Sequence, residues 1–288
     1  ASRAGLKVIV QVYVDSAPEW VGQRYIDGRY AAQDGQPIPS QAAPGFCFDH
    51  PGVRNAVLGF FEEVAQHVRN SPAFYGWDLW SEPATLNWAR VGYKAQPMFC
   101  YCPSSMERFR GWLRKKYGTL DKLNLAWHRT FTDWKQVEPP RFGTILTYTD
   151  FMDWRIYYGY KLAEDLKARN DAVKAIDPGH VTTSHAPNPS PLERTLADPY
   201  DPTDDFLMKD SVDYCGAQLD ITAARLGDGL DECDYAWPGL LRGGTPERLR
   251  GCTARRSDPK SRRAICNCGL GVWFRAVRRP LTTMLSIR

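Results

Sequence analysis

Tyr75-Gly76-Trp77-Asp78-Leu79-Trp80-Ser81-Glu82-Pro83 is an apolar, aromatic run that ends abruptly in a carboxylate followed by proline. A strand covered on both faces reads as a near-continuous hydrophobic run, and its end is where a side chain can emerge into a cleft. Proline has no N–H for a ladder hydrogen bond, so the strand stops and leaves Glu82 at its rim among Trp77, Trp80 and Trp88. Indole rings beside a carboxyl suit a sugar: apolar sugar faces stack on aromatics, and a partly desolvated acid has a raised pKa and stays protonated. The plainer alternative is a strand ending in an ordinary exposed glutamate.

Upstream, Gly5-Leu6-Lys7-Val8-Ile9-Val10-Gln11-Val12-Tyr13 is a β-branched run that Asp15-Ser16-Ala17-Pro18 breaks into a loop. Residues 23–50 are rich in Gly, Pro, Gln and Asp, a longer loop than a compact domain carries without a use for it. Val53, Val57, Phe60, Phe61, Val64 and Val68 then recur at helical spacing, so a helix with one buried face leads into the Tyr75 strand. Strand, helix, strand implies a parallel sheet.

Downstream, Phe109, Trp112, Leu113 and Tyr117 form a helical stripe closed by Gly118, and 120–127 makes a second short helix. Phe151, Trp154, Tyr158, Leu162, Leu166 and Val173 mark a long amphipathic helix, with Phe151 and Trp154 read as core. His180-Val181-Thr182-Thr183-Ser184-His185 reads as a strand ending at a histidine, and 211–219 as the next. Four strands alternating with helices, with Asp15, Glu82, His185 and Gln218 after their C-terminal ends, match the site geometry of an α/β (β/α)8 barrel. A doubly wound open sheet would need another signature, and no glycine-rich phosphate loop follows any strand.

The 288 residues suffice for one large α/β domain or two small ones, and 43% apolar content supports a sizeable core. No apolar stretch of about 18 residues and no charged-then-apolar leader occurs, so a cytoplasmic location is expected, though the chain enters a strand almost at once and an upstream signal is compatible with it. The net charge of +4 conceals two parts: residues 221–288 hold 13 Lys/Arg against 6 Asp/Glu (+7), leaving 24 against 27 (−3) for 1–220. That basic tail, which also holds Cys233, Cys252, Cys266 and Cys268, has no sustained periodicity and is expected to be poorly ordered or loosely packed. Its arginines line no helix face, so nucleic acid is not an expected partner. The domain reading is therefore 1–219 and 220–288.

Gly76-Trp77 through Glu82, Cys100-Tyr101-Cys102-Pro103, Phe109-Arg110-Gly111-Trp112-Leu113, Lys116-Tyr117-Gly118-Thr119-Leu120, Leu123-Asn124-Leu125-Ala126-Trp127 and Phe131-Thr132-Asp133-Trp134 resemble the catalytic domain of glycoside hydrolase family 42, the β-galactosidase type with TIM barrels. The resemblance covers roughly residues 3–219. It implies a glycosidase in which Glu82, after strand four, is the general acid/base of a retaining reaction, with a second Glu after strand seven as nucleophile. It also implies that 5–13 is strand three, with strands one and two upstream, so that about strands three to six are recognisable. Two departures stand out. Ser81 replaces the family's Asn before the acid/base, and Asp220 stands where strand six should deliver a Tyr. Residues from about Asp220 onward are accordingly expected to come from a shifted reading frame or unrelated sequence, and to supply no strand.

Retaining glycoside cleavage needs two carboxyls about 5–5.5 Å apart. Only Glu82 can be named; Asp228, Asp231, Glu232, Asp234, Glu247 and Asp258 lie in sequence without a strand signature and read as solvated acids. The chain by itself is thus expected to be inactive, and a non-catalytic carbohydrate-binding or pseudoenzyme domain is the alternative function. Trp80, Ser81, Asp15, His185 and Gln218 are the expected substrate contacts, the last two balanced against ordinary loop-satisfying roles. The expected partner is a β-galactoside-like carbohydrate, with no membrane; a homo-oligomer is compatible with the sequence. No cofactor is expected. Cys47, Cys100 and Cys102 resemble part of the zinc cluster of some family members, but the fourth thiolate is Ser105, so buried or free thiols are the first reading and a three-thiolate zinc site with a water or outside ligand the second.

Overall fold

The computed structural model describes residues 1–14, 18–38, 45–81, 83, 100–141, 148–186, 204–217, 265–268 and 272–278. Strands β1 (Leu6–Val12), β2 (Phe74–Ser81), β3 (Val181–Ala186) and β4 (Tyr214–Ala217) are adjacent in sequence order and parallel. Helices occupy the crossovers: α1 (Glu19–Arg24) and α2 (Pro51–Val68), then α3 (Pro103–Tyr117), α4 (Leu120–Trp127) and α5 (Thr149–Ile176), then the single turn α6 (Asp205–Met208). Parallel neighbours joined by helices on one side are a consecutive arc of a (β/α)8 barrel. At Gly76 a Cβ would stand 2.5 Å from the Val181 carbonyl oxygen, so the β2–β3 pairing leaves no room for a side chain there.

The helices begin where their sequences can cap them. Pro51 opens α2 and His50 Nδ1 accepts the Val53 N–H at 3.2 Å; Pro103 opens α3 with the Cys102 sulfur accepting from Ser105 N–H; Thr119 Oγ1 caps α4. Between the sheet and α2/α5, Val10, Val12, Trp77, Leu79 and Trp80 pack on Phe61, Ala65, Leu162 and Leu166. A second core joins α3, α4 and α5 through Phe109, Leu113, Leu123, Trp127, Trp154 and Tyr157. Asp153 ties it together, accepting from Trp127 Nε1 at 2.8 Å, from the Tyr117 hydroxyl at 2.6 Å and from Lys116 Nζ.

The structure departs from the sequence reading in two places. The strand expected from Ser211 starts later, at Tyr214, because Ser211 and Asp213 turn to other partners: Ser211 Oγ donates to the Ala163 carbonyl at 2.9 Å, and Asp213 accepts from Thr182 N–H at 2.9 Å and Lys174 Nζ at 2.7 Å; residues 218 and 219 of the expected strand lie outside the described residues. The tail does supply strands. β5 (Ile265–Cys268) and β6 (Val272–Arg278) form a hairpin, and β6 pairs antiparallel with all of β1, so the edge of β1 is covered. The Val272–Arg278 segment alternates apolar with other residues only briefly, which hid it in an Arg-rich tail.

Candidate functional site

The backbone brings the candidate positions to one end of the sheet. Ser81 closes β2 and pairs in register with His185 on β3; Glu82 is the next residue. Asp15 follows the C-terminal end of β1 by three residues, and Gln218 follows β4 directly. All four therefore attach to the same ends of parallel strands, where barrel enzymes place their chemistry. Asp15, Glu82 and Gln218, and the side chain of His185, lie outside the described residues, as does Trp88.

Two of the three indoles expected beside Glu82, Trp77 and Trp80, pack into the core. Trp77 is wholly buried on the helix side and donates from Nε1 to Asp177 Oδ2 at 3.0 Å. The β2–β3 register shifts between Asp78 and Trp80, and Trp80 joins the same core at 7% exposure, its ring beneath the Arg169 guanidinium of α5. Trp80 is therefore packed as a core residue, where the sequence reading expected a substrate contact. Sequence reasoning missed the pair on the opposite face: Gln11 Nε2 donates to Asp78 Oδ2 at 3.1 Å across the β1–β2 register. The available signal was Asp78 within an apolar, aromatic run and Gln11 between Val10 and Val12.

A second site lies at the start of α3. The loop before α2 carries Cys47, and Cys100 and Cys102 precede the helix; their three sulfurs all lie within 4.8 Å of one another and could hold a metal ion. Cys47 and Cys102 stand 3.5 Å apart, and Ser105 Oγ lies 3.3 Å from the Cys47 sulfur and 3.4 Å from that of Cys102. Burial pushes the Cys47 thiol up and the Cys100 thiol to about 12, while hydrogen bonds with Cys100 and Cys47 pull Cys102 down. A cavity of about 650 Å³ reaches Cys102 past Arg29, Tyr30, Tyr101 and Arg141.

Behind the sulfurs sits an ion network that sequence reasoning did not find. Ser105 Oγ donates to Asp49 Oδ2 at 2.6 Å, and Asp49 also meets Arg108 Nη1 at 2.6 Å and Lys161 Nζ at 3.2 Å. Arg108, Lys161 and Arg54 converge on Asp165 at 2.7, 2.5 and 3.0 Å. The i,i+4 spacing of Lys161 and Asp165 was a legible part of it; its partners come from three separate segments.

The family model for glycoside hydrolase family 42, described as beta-galactosidase, matches residues 1–217. The chain belongs to this family. Curated relatives include beta-galactosidase BglY of Alicyclobacillus acidocaldarius, 25% identical over 190 residues (64% of this chain, 26% of that protein), and beta-galactosidase BgaA of a Thermus species, 29% identical over 132 residues (46% and 19%). The chain thus spans about a quarter of the length of such relatives. Among solved structures, the beta-galactosidase of Bacillus circulans sp. alkalophilus aligns with a TM-score of 0.61 at 20% identity over 81% of this chain and 32% of its own, and that of Marinomonas ef1 with 0.62 at 17% over 80% and 33%. At these identities the likeness concerns the fold: β1 to β4 are an arc of the family's barrel, consistent with strands three to six.

Proposed function

We propose that residues 1–219 carry the acid/base half of a retaining β-galactosidase-type site, with Glu82 as the general acid/base. Two observations support this reading: the family match covers residues 1–217, and the parallel strand β2 ends at Ser81, the residue before Glu82 in the sequence. In this reading Glu82 protonates the glycosidic oxygen as the leaving group departs. It then takes a proton from the water that attacks the covalent glycosyl intermediate, while a second carboxyl about 5–5.5 Å away forms and releases that intermediate. Ser81 offers a shorter hydrogen-bonding arm beside the sugar than the family's Asn. The substrate class is a β-galactoside.

The test measures hydrolysis of lactose and of an aryl β-galactoside by the 288-residue chain alone and after fusion to the C-terminal part of a family relative bearing the second carboxyl. Activity in the fusion that disappears in its Glu82→Gln form on lactose supports the reading. A fusion that binds galactosides without turnover would replace it with the carbohydrate-binding alternative.

A further inference from the structure

We propose that Ser105 is the fourth donor of a divalent-metal site formed with Cys47, Cys100 and Cys102, and that Asp49 holds its hydroxyl in the coordinating orientation. Three sulfurs alone would leave a corner for water or an outside ligand. Here that corner is filled by Ser105 Oγ, which contacts the sulfurs of Cys47 and Cys102 and is held on α3 within a buried setting. A tetrahedral zinc-class ion with metal–sulfur bonds of about 2.3 Å and a metal–oxygen bond of about 2.1 Å has sulfur–sulfur edges of roughly 3.8 Å and sulfur–oxygen edges of roughly 3.6 Å. The observed 3.5 Å between Cys47 and Cys102, and 3.3 and 3.4 Å from them to Ser105, are those edges contracted by a few tenths of an ångström.

The direction of the serine proton decides what Oγ can do. It donates to Asp49 Oδ2 at 2.6 Å, so its lone pairs face the sulfurs. Cys102 donates to that oxygen, which makes the centre of the cluster the place where thiol protons point and where an ion would replace them. On uptake of a dication the thiol protons leave to solvent, three thiolate–metal bonds form, and Ser105 binds as a neutral hydroxyl that keeps its proton on Asp49. A carboxylate hydrogen-bonded to a ligand raises its basicity and fixes its orientation. Asp49 is itself held by Arg108 and Lys161, so the oxygen cannot swing away without breaking a buried ion network. The cavity that reaches Cys102 is the route by which water or a small thiol would compete for the fourth position.

The experiment uses the full chain, stripped of metal, with Co²⁺ as a visible probe and Zn²⁺ measured by chelator competition, on the parent, Ser105→Ala and Ser105→Cys, each checked for folding by far-ultraviolet circular dichroism. One ion per chain is expected. Ser105→Cys should bind more tightly and move the Co²⁺ absorption toward a four-thiolate spectrum, whereas Ser105→Ala should lose about 10–100-fold in zinc affinity. Added imidazole should change the Co²⁺ spectrum of Ser105→Ala and leave the parent's unchanged, because only the alanine form has an open corner. A parent that takes up no ion, a parent spectrum that responds to imidazole as the alanine form does, or equal zinc affinity in parent and Ser105→Ala overturns the assignment. Should Ser105→Ala not fold, an unshifted spectrum in Ser105→Cys does the same.

Discussion

Arg169 of α5 lies over Trp80 of β2, its guanidinium carbon 3.5 Å from the ring centroid, and the Phe48 ring lies 5.2 Å from the same carbon. The cation is thereby held between two aromatic faces, one at the end of the strand that precedes Glu82 and one on the loop that carries Cys47. The contact fastens the long helix to the rim of the sheet and connects the two candidate sites through packing. A cation over an indole in a desolvated setting contributes about 2 kcal/mol.

Trp80→Ala should therefore act on stability. Removing a buried indole from beneath Arg169 opens a cavity and leaves the guanidinium without its platform, at an expected cost of about 3–5 kcal/mol. Urea denaturation of the purified chain reads it directly. A loss under about 1 kcal/mol, combined with weakened galactoside binding, would return Trp80 to the sugar site.

Acid should weaken the fold through Asp165. Burial raises its pKa, but Lys161 first and then Arg108 and Arg54 outweigh that and hold the carboxyl well below the usual carboxylate range. The folded pKa thus lies beneath the unfolded value of about 3.9, so the contribution is fully present above about pH 4 and is lost as pH falls toward the folded value. Asp165→Asn should cost about 3–5 kcal/mol at neutral pH, because it removes the buried carboxylate that Lys161, Arg108 and Arg54 share and leaves their charges under-compensated. It should also flatten the decline in stability below about pH 4. Equal slopes in parent and variant, from denaturant melts at several pH values, would contradict this.

What could be read from the residues follows from how local each signal is. The helical stripes of α2, α3 and α5 and the β-branched or aromatic runs of β1 and β2 are carried by neighbours a few positions apart, and they emerged as expected. The facing of Trp80 was not legible because it depends on a register shift against β3, about a hundred residues later in the chain. The Asp49–Arg108–Asp165 network was hidden for the same reason: its members come from a loop and two helices and meet only after the barrel arc has formed. The three cysteines were recognised through family resemblance, whereas the bond from Ser105 to Asp49 required coordinates.

Asp153 should prove the weakest point of the helical core to mutation. Its carboxylate accepts from Trp127, Tyr117 and Lys116, joining α3, α4 and α5 in one place. Asp153→Ala strands a buried indole N–H and a hydroxyl as well as the lysine, with an expected loss of about 3–5 kcal/mol. Asp153→Asn keeps one acceptor oxygen and should lose less. Near-ultraviolet circular dichroism would report Trp127 and Tyr117 directly; an alanine variant with parental spectrum and midpoint would show that water replaces the carboxylate at no cost.

The acid/base assignment makes a prediction about leaving groups. In the fused enzyme bearing a second carboxyl, Glu82→Gln keeps the shape and one hydrogen-bonding oxygen of the side chain but cannot donate a proton to the departing oxygen. Lactose leaves as a poorly acidic sugar hydroxyl and depends on that proton, so its turnover should fall by about 10²- to 10⁴-fold. A nitrophenyl galactoside leaves as a stabilised phenolate and does not need it, so its first step should fall far less, and the following attack of water, which does need a base, should become limiting. A burst of nitrophenol followed by slow release of galactose would therefore mark the variant. Equal losses on both substrates with no burst would mean that Glu82 is not the acid, and the carboxyl serving that role would have to be sought on another strand of the barrel.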